Sequence, residues 1–112
     1  MSFLANAQQS EPKANIVNGK YLTIKDPKFR EESSSYSITG TIVNNSTQEI
    51  SQVSAYAILY DKYNKVITVN SAIADVSTLK PGDYSAFKVP FFNFSNKLEL
   101  PDHYTLVAGG QL

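Results

Sequence analysis

The stretch AYAILYD, residues 55–61, is the most apolar run in this chain of 112 residues. Successive side chains of a strand point to opposite faces of the sheet, so a half-buried strand alternates apolar and polar residues. One row of this stretch and its upstream flank is apolar throughout and is predicted to face a core: Val53, Ala55, Ala57 and Leu59. The other row becomes apolar towards its end and predicts a local patch: Tyr56, Ile58 and Tyr60. We expect that patch either to be covered by the chain's own residues or to form a contact surface.

Period-2 patterns separated by turn residues continue on both sides of this stretch. They predict further strands at 20–25, 36–43, 66–74, 84–91 and 103–109, and a seventh if Ile16 and Val17 pair separately. No segment sustains the apolar spacing of an amphipathic helix. Short strands at this spacing favour an all-β, antiparallel sandwich of six or seven strands.

Glycine and proline positions add local detail to these strands. Gly40 lies on the predicted inner row of its strand, which indicates a bulge or a large side chain close by. Asp26-Pro27 is predicted to end the first strand, because proline cannot donate to a ladder. Pro81-Gly82 suits a type II turn, and Asn64 can take a positive φ in the loop after Asp61.

The N-terminal segment differs in composition from the rest. Residues 1–14 are rich in polar side chains and are predicted to be a flexible leader or the remnant of a signal peptide, and residues 15–112 the β-sandwich domain. Ala5-Asn6-Ala7 has the small-x-small form of a signal-peptidase site. Only Phe3 and Leu4 precede it as an apolar region, so both interpretations stay open.

Composition restricts the possible partners. Ten basic and ten acidic residues balance, and the lysines are scattered along the chain, so nucleic-acid binding is not predicted. The chain has no cysteine, which excludes disulfides and thiolate metal sites. It has no run of 18 apolar residues, so no membrane span is predicted.

The inventory of reactive groups predicts no catalytic, cofactor or metal site. His103 is the only histidine, and no nucleophile motif accompanies it. Asp61 and Asn64 could offer oxygens to calcium, but the spacing of a calcium loop is missing and a turn role is favoured. Sequons at Asn44, Asn45 and Asn93 allow glycosylation, although chance matches are expected.

Several segments resemble one known family, the FxLYD domains. These segments are ITGTIVNN at 38–45, AILYD at 57–61, LKPG at 79–82 and FKV at 87–89. The resemblance covers about half the chain, and Ala57 stands where that family has an aromatic residue. It implies an immunoglobulin-like sandwich found as a module of prokaryotic cell-surface or secreted proteins, with no catalytic residues to carry over.

Two functional hypotheses follow. The first is a non-catalytic, extracytoplasmic module that acts as a spacer or contacts another protein or a neighbouring domain. Its candidate interaction patch consists of Tyr56, Ile58, Tyr60 and Tyr63. The alternative is a glycan-binding module in which exposed tyrosines stack on sugar rings, although the chain lacks tryptophan.

Overall fold

The chain folds into seven strands that form two sheets. The computed structural model describes residues 11–32, 35–92 and 100–112. No helix occurs in these ranges, and hence none that could cross a membrane. The strands are β1 Lys13–Val17, β2 Leu22–Glu32, β3 Ser35–Asn44, β4 Ser51–Tyr60, β5 Val66–Ile73, β6 Tyr84–Phe92 and β7 His103–Gln111. The all-β prediction and the seventh strand at Ile16-Val17 are confirmed. Residues 13 and 14 of the predicted leader belong to β1, and residues 1–10 lie outside the described ranges.

The seven strands are divided between the two sheets, and their order within each sheet differs from their order along the chain. One sheet has the order β1-β7-β4-β5 and the other the order β2-β3-β6. All pairs are antiparallel except β1 and β7, which run parallel with Ile16 opposite Leu106. The antiparallel expectation therefore fails at one pair. A residue pattern indicates that a segment is a strand, but it does not indicate which strand lies beside it. β1 pairs with β7 from the other end of the chain, and after β1 the chain crosses to the other sheet to form β2.

A single core lies between the inner faces of the sheets, and the predicted inward rows form it. The odd row of β4 is buried, as are Leu22 and Ile24 in β2 and Tyr104 and Leu106 in β7. From the three-stranded sheet the core receives these further side chains: Phe29, Ile38, Ile42, Phe87, Val89 and Phe91. Burial of one complete row fixes the register, because a slip by one residue would expose it.

Gly40 lies where a large ring crosses the sheet. A Cβ atom at Gly40 would come 2.8 Å from Cζ of Phe87, its partner on β6. On the other side of β3, the pairing with β2 shifts register between Lys25 and Lys28, opposite Gly40. Both predicted features are present, since a bulge faces this glycine and a large side chain lies against it.

The prediction that Asp26-Pro27 ends the first strand is wrong. β2 continues to Glu32 through a bulge in which Asp26 adopts a φ of 55°. β2 is an edge strand of its sheet, and an edge strand tolerates proline at a bulge because the missing N–H donor would face solvent. The strand is consequently about twice as long as predicted.

A second bulge changes the faces of β5. The sequence predicts that Ile67, Val69 and Ile73 share one face, but the pairing with β4 shifts between Leu59 and Tyr60. Ile67 therefore packs partly against the core, whereas Val69 and Ile73 point away from it. The bulge thus separates Ile67 from the outward row of Val69 and Ile73, and it pairs Val66 with Tyr60.

Candidate functional site

The outer face of the four-stranded sheet carries a continuous set of apolar side chains. Cross-strand pairing places Tyr56 beside Val107, and Val107 beside Val17 of β1. One row further, Ile58 lies beside Val69. We call this surface the apolar face, and it consists of Val17, Tyr56, Ile58, Tyr60, Val66, Val69, Ile73 and Val107. Five of the eight are exposed, among them Tyr56 at 49%, Val69 at 60% and Ile73 at 68%.

Tyr56 has a defined position within the apolar face. Its ring lies against Gly109 of β7, where a Cβ atom would approach Tyr56 Cε1 to 3.3 Å. The glycine therefore leaves room for the ring to lie close to the backbone of the neighbouring strand. A tyrosine held in this way offers a large contact area and loses little side-chain entropy on binding.

Tyr60 is covered more than Tyr56 because His103 stacks on it. The two ring centroids are 4.8 Å apart and the planes differ by 14°. Nδ1 of His103 lies 2.8 Å from Oδ2 of Asp102, so the imidazole is held from two sides. As its parity predicts, His103 points away from the core, and it forms one end of the apolar face.

Tyr63 lies apart from the other predicted patch residues, at the tip of the β4–β5 hairpin. Oδ1 of Asp61 accepts hydrogen bonds from the N–H groups of Tyr63 at 2.8 Å and Lys65 at 3.0 Å. The bond from Lys65, more than any other effect, lowers the pKa of Asp61 from its ordinary value. Asn64 takes a φ of 64°, as predicted. Asp61 is therefore the turn-forming residue, and the loop projects Tyr63 into solvent at 71% exposure.

An open groove of about 600 Å³ lies beside this hairpin. Tyr63, Asp61 and Asp102 line it together with Leu100 and Lys13. It is a polar end of the sandwich and not a continuation of the apolar face. The described residues contain no group of three or more histidine, cysteine or carboxylate side chains that could hold a metal ion.

The outer face of the three-stranded sheet is different in character. Its middle rows place Thr39 between Lys28 and Lys88, and Thr41 beside Lys25. Lys88 pairs with Glu32 at 3.7 Å. The fold thus collects on one face basic residues that are scattered in the sequence. Charged side chains on edge strands also discourage pairing with other chains.

The sequence predicts only part of the apolar face. It identified Tyr56, Ile58 and Tyr60 but missed the aliphatic neighbours: Val17, Val66, Val69, Ile73 and Val107. The outward row of β5 was visible in the sequence as a shared parity of Val69 and Ile73. Which sheet that row belongs to, and whether another layer covers it, depends on strand order.

The sequons have different environments. Asn44 is fully buried, and its Nδ2 donates to the carbonyl oxygens of Gln48 at 2.8 Å and Leu79 at 2.9 Å. The nitrogen to which a glycan would be attached is therefore not accessible in the folded chain. Asn45 is exposed, with its amide bonded to Thr23 Oγ1. Asn93 lies outside the described residues.

Comparison with known proteins provides no identification. No family model, curated protein or solved structure matches the chain.

Proposed function

We propose that this chain is a non-catalytic interaction module that binds protein through the apolar face. The observation that supports it is the contrast between the two sheets. One outer face carries lysines and threonines along its middle, with exposed aromatic side chains only at the two ends of β6, Tyr84 and Phe92, whereas the other is apolar over four strands. The exposed side chains of the apolar face amount to roughly 500 Å², which is at the upper end of what a typical monomer exposes. Such patches mark contact sites.

We also propose an immunoglobulin-like fold of the FxLYD type and an extracytoplasmic location. The fold proposal is supported by strand order, since the hairpins β2–β3 and β4–β5 lie in opposite sheets, with β6 beside β3 and β7 beside β4. Greek-key sandwiches share this arrangement. The location rests on the sequence resemblance alone.

Site-specific photocrosslinking in the cell that makes the protein tests the contact. A photoreactive phenylalanine replaces Ile73 on the apolar face, and the matched control carries it at Tyr84, which is 71% exposed on the other sheet. We expect an adduct with a second polypeptide from position 73 and none from position 84. Equal labelling from both positions, or none from position 73, would contradict the proposal.

Glycan binding is the second candidate, and the groove favours it. An exposed aromatic ring beside carboxylates can stack on a sugar and accept hydrogen bonds from its hydroxyls, and Tyr63, Asp61 and Asp102 offer that combination. Titration with a panel of glycans, monitored through the NMR signals of the seven tyrosines, separates the two candidates. Saturable shifts at Tyr63 that are lost in Tyr63→Ser would favour glycan binding over the protein contact.

A further inference from the structure

The apolar face has a pattern of large and small side chains that is complementary to itself. In one row Tyr56 of β4 lies opposite Ser71 of β5, and in the next row Ser54 of β4 lies opposite Ile73 of β5. Among these four residues, large and small side chains therefore alternate both along the strands and across them. The pattern is a property of the register between β4 and β5, and it is not visible in either strand alone.

Two copies related by a two-fold axis in the plane of the face would match this pattern. An axis perpendicular to the strands places Tyr56 of one copy over Ser54 of the other, and Ile73 over Ser71. Each large side chain of these four residues then meets a small one, as an isologous interface requires, and all four strands of one sheet lie over those of the other.

Charge also favours a second copy as the occupant. Between its ends the apolar face carries no ionisable side chain other than tyrosine, because its neighbours in the sheet are Asn15, Thr105 and Ser71. Lys13 and His103 lie at one end only. The chain has a formal net charge of zero, so two copies approach without long-range repulsion. Depletion of charge is typical of the centre of an interface.

The available area suits a reversible dimer. Four strands about 4.8 Å apart and some eight residues long give a face of roughly 15 by 27 Å. With its polar rim, this buries about 1,000–1,400 Å² over both copies, near the lower limit for specific interfaces. Two sheets packed in this way lie about 10 Å apart, which is the ordinary spacing of stacked sheets.

We propose that the occupant of the apolar face is a second copy of this chain, packed sheet on sheet around a two-fold axis. The proposal rests on the proposed contact function and specifies its partner. The interface has Tyr56 and Ile73 as its projecting side chains and Ser54 and Ser71 as the depressions that receive them. Dimerisation is concentration-dependent, because an interface near the lower size limit is expected to be reversible.

Sedimentation velocity from about 1 µM to 1 mM tests this proposal, since the range covers a thousandfold change in concentration. The wild-type mass should rise from 12.4 kDa towards twice that value. Ile73→Lys should weaken dimerisation by at least about tenfold, because it buries an unpaired charge in each copy. The matched control, Tyr84→Lys on the other sheet, should dimerise like the wild type. Melting temperatures of both variants check that they fold.

A measurement on the unmodified protein covers the case in which Ile73→Lys does not fold. Amide and side-chain NMR shifts that change with concentration should be confined to the outer rows of β4, β5 and β7. A wild type that stays monomeric to 1 mM, or shifts confined to the three-stranded sheet, would overturn the proposal. If the chain is monomeric but position 73 crosslinks to a different protein, the contact function stands and the second copy is excluded.

Discussion

Replacing Gly40 by alanine adds one methyl group where the ring of Phe87 lies against β3. The Cβ atom would lie 2.8 Å from Cζ and 2.9 Å from Cε2 of Phe87, and 3.2 Å from the carbonyl oxygen of Lys25. Ordinary van der Waals contacts begin near 3.4 Å. The ring must therefore move by about half an ångström or more in a close-packed interior.

Two opposing effects determine the magnitude for Gly40→Ala. Overpacking of a well-packed core costs about 1–3 kcal/mol. Gly40 does not have a positive φ, so alanine fits the backbone and gains about 0.4–1 kcal/mol by restricting the unfolded chain. Phe87 is almost fully buried, and the backbone carbonyl on the other side leaves no free direction. We expect the steric cost to exceed the gain, with a net destabilisation of about 1–2 kcal/mol.

Urea and thermal unfolding measure this change. Each kcal/mol should lower the melting temperature by about 4–8 °C in a domain of this size. A double-mutant cycle with Phe87→Leu identifies the cause, because a shorter side chain removes the clash and should reduce the cost of Gly40→Ala. The matched control is Gly82→Ala, where φ is +84° and nothing lies within 4 Å, so its cost is backbone strain. That cost should be the same with Phe87 or leucine.

Two results would contradict the prediction for Gly40→Ala. If Gly40→Ala is as stable as the wild type, the strands are not as close as the structure has them. If its cost is the same in both backgrounds, the ring of Phe87 is not responsible.

Three further predictions concern single polar side chains. Asn44→Ala should destabilise the protein by about 2–4 kcal/mol in urea unfolding, because it removes several buried hydrogen bonds, whereas Asn45→Ala at the exposed neighbour should cost less than about 1 kcal/mol. The pKa of Asp61 is lower in the folded protein than its unfolded value near 3.8, so the stabilisation by the ionised carboxylate is complete above that unfolded pKa and is lost as pH falls through the folded pKa. Asp61→Asn should therefore make the free energy of unfolding fall less steeply at acid pH, and an unchanged acid dependence would contradict this. Ser37→Ala should be neutral or stabilising by up to about 1 kcal/mol, since its buried hydroxyl has no hydrogen-bond partner among the described residues, and a loss above 1 kcal/mol in the same assay would show that a partner exists.

Much of the fold can be predicted because it depends on local alternation. The odd row of β4 and the inward row of β6 are buried as their periodicity predicts. The turn at Pro81-Gly82 also follows from local chemistry, with Gly82 at positive φ and a hydrogen bond of 2.9 Å from the N–H of Asp83 to the Lys80 carbonyl. Such features need only a few consecutive residues to be specified.

The apolar face could be predicted only in part. Tyr56 and Ile58 were visible as the apolar end of an even row, but their neighbours come from β1, β5 and β7, which are distant in sequence. The parallel placement of β1 beside β7 brings Val17 to the face, and the bulge at Ile67 places Val66 beside Tyr60. The alternation of residues along a strand predicts which of its two faces is the more buried. It does not predict whether another layer of the protein covers the other face.

The sequence by itself therefore determined the position of the seven strands, most of their inward rows and the turn chemistry of this protein, because these depend on a few consecutive residues; it did not determine the two bulges at Asp26-Pro27 and Ile67. Only the tertiary structure decided that Tyr56, Val69 and Ile73 form one uncovered surface, while Lys25, Lys28 and Lys88 collect on the opposite side. The physical reason is that side-chain neighbours across a sheet are set by strand order and register, which result from burial of the whole core at once.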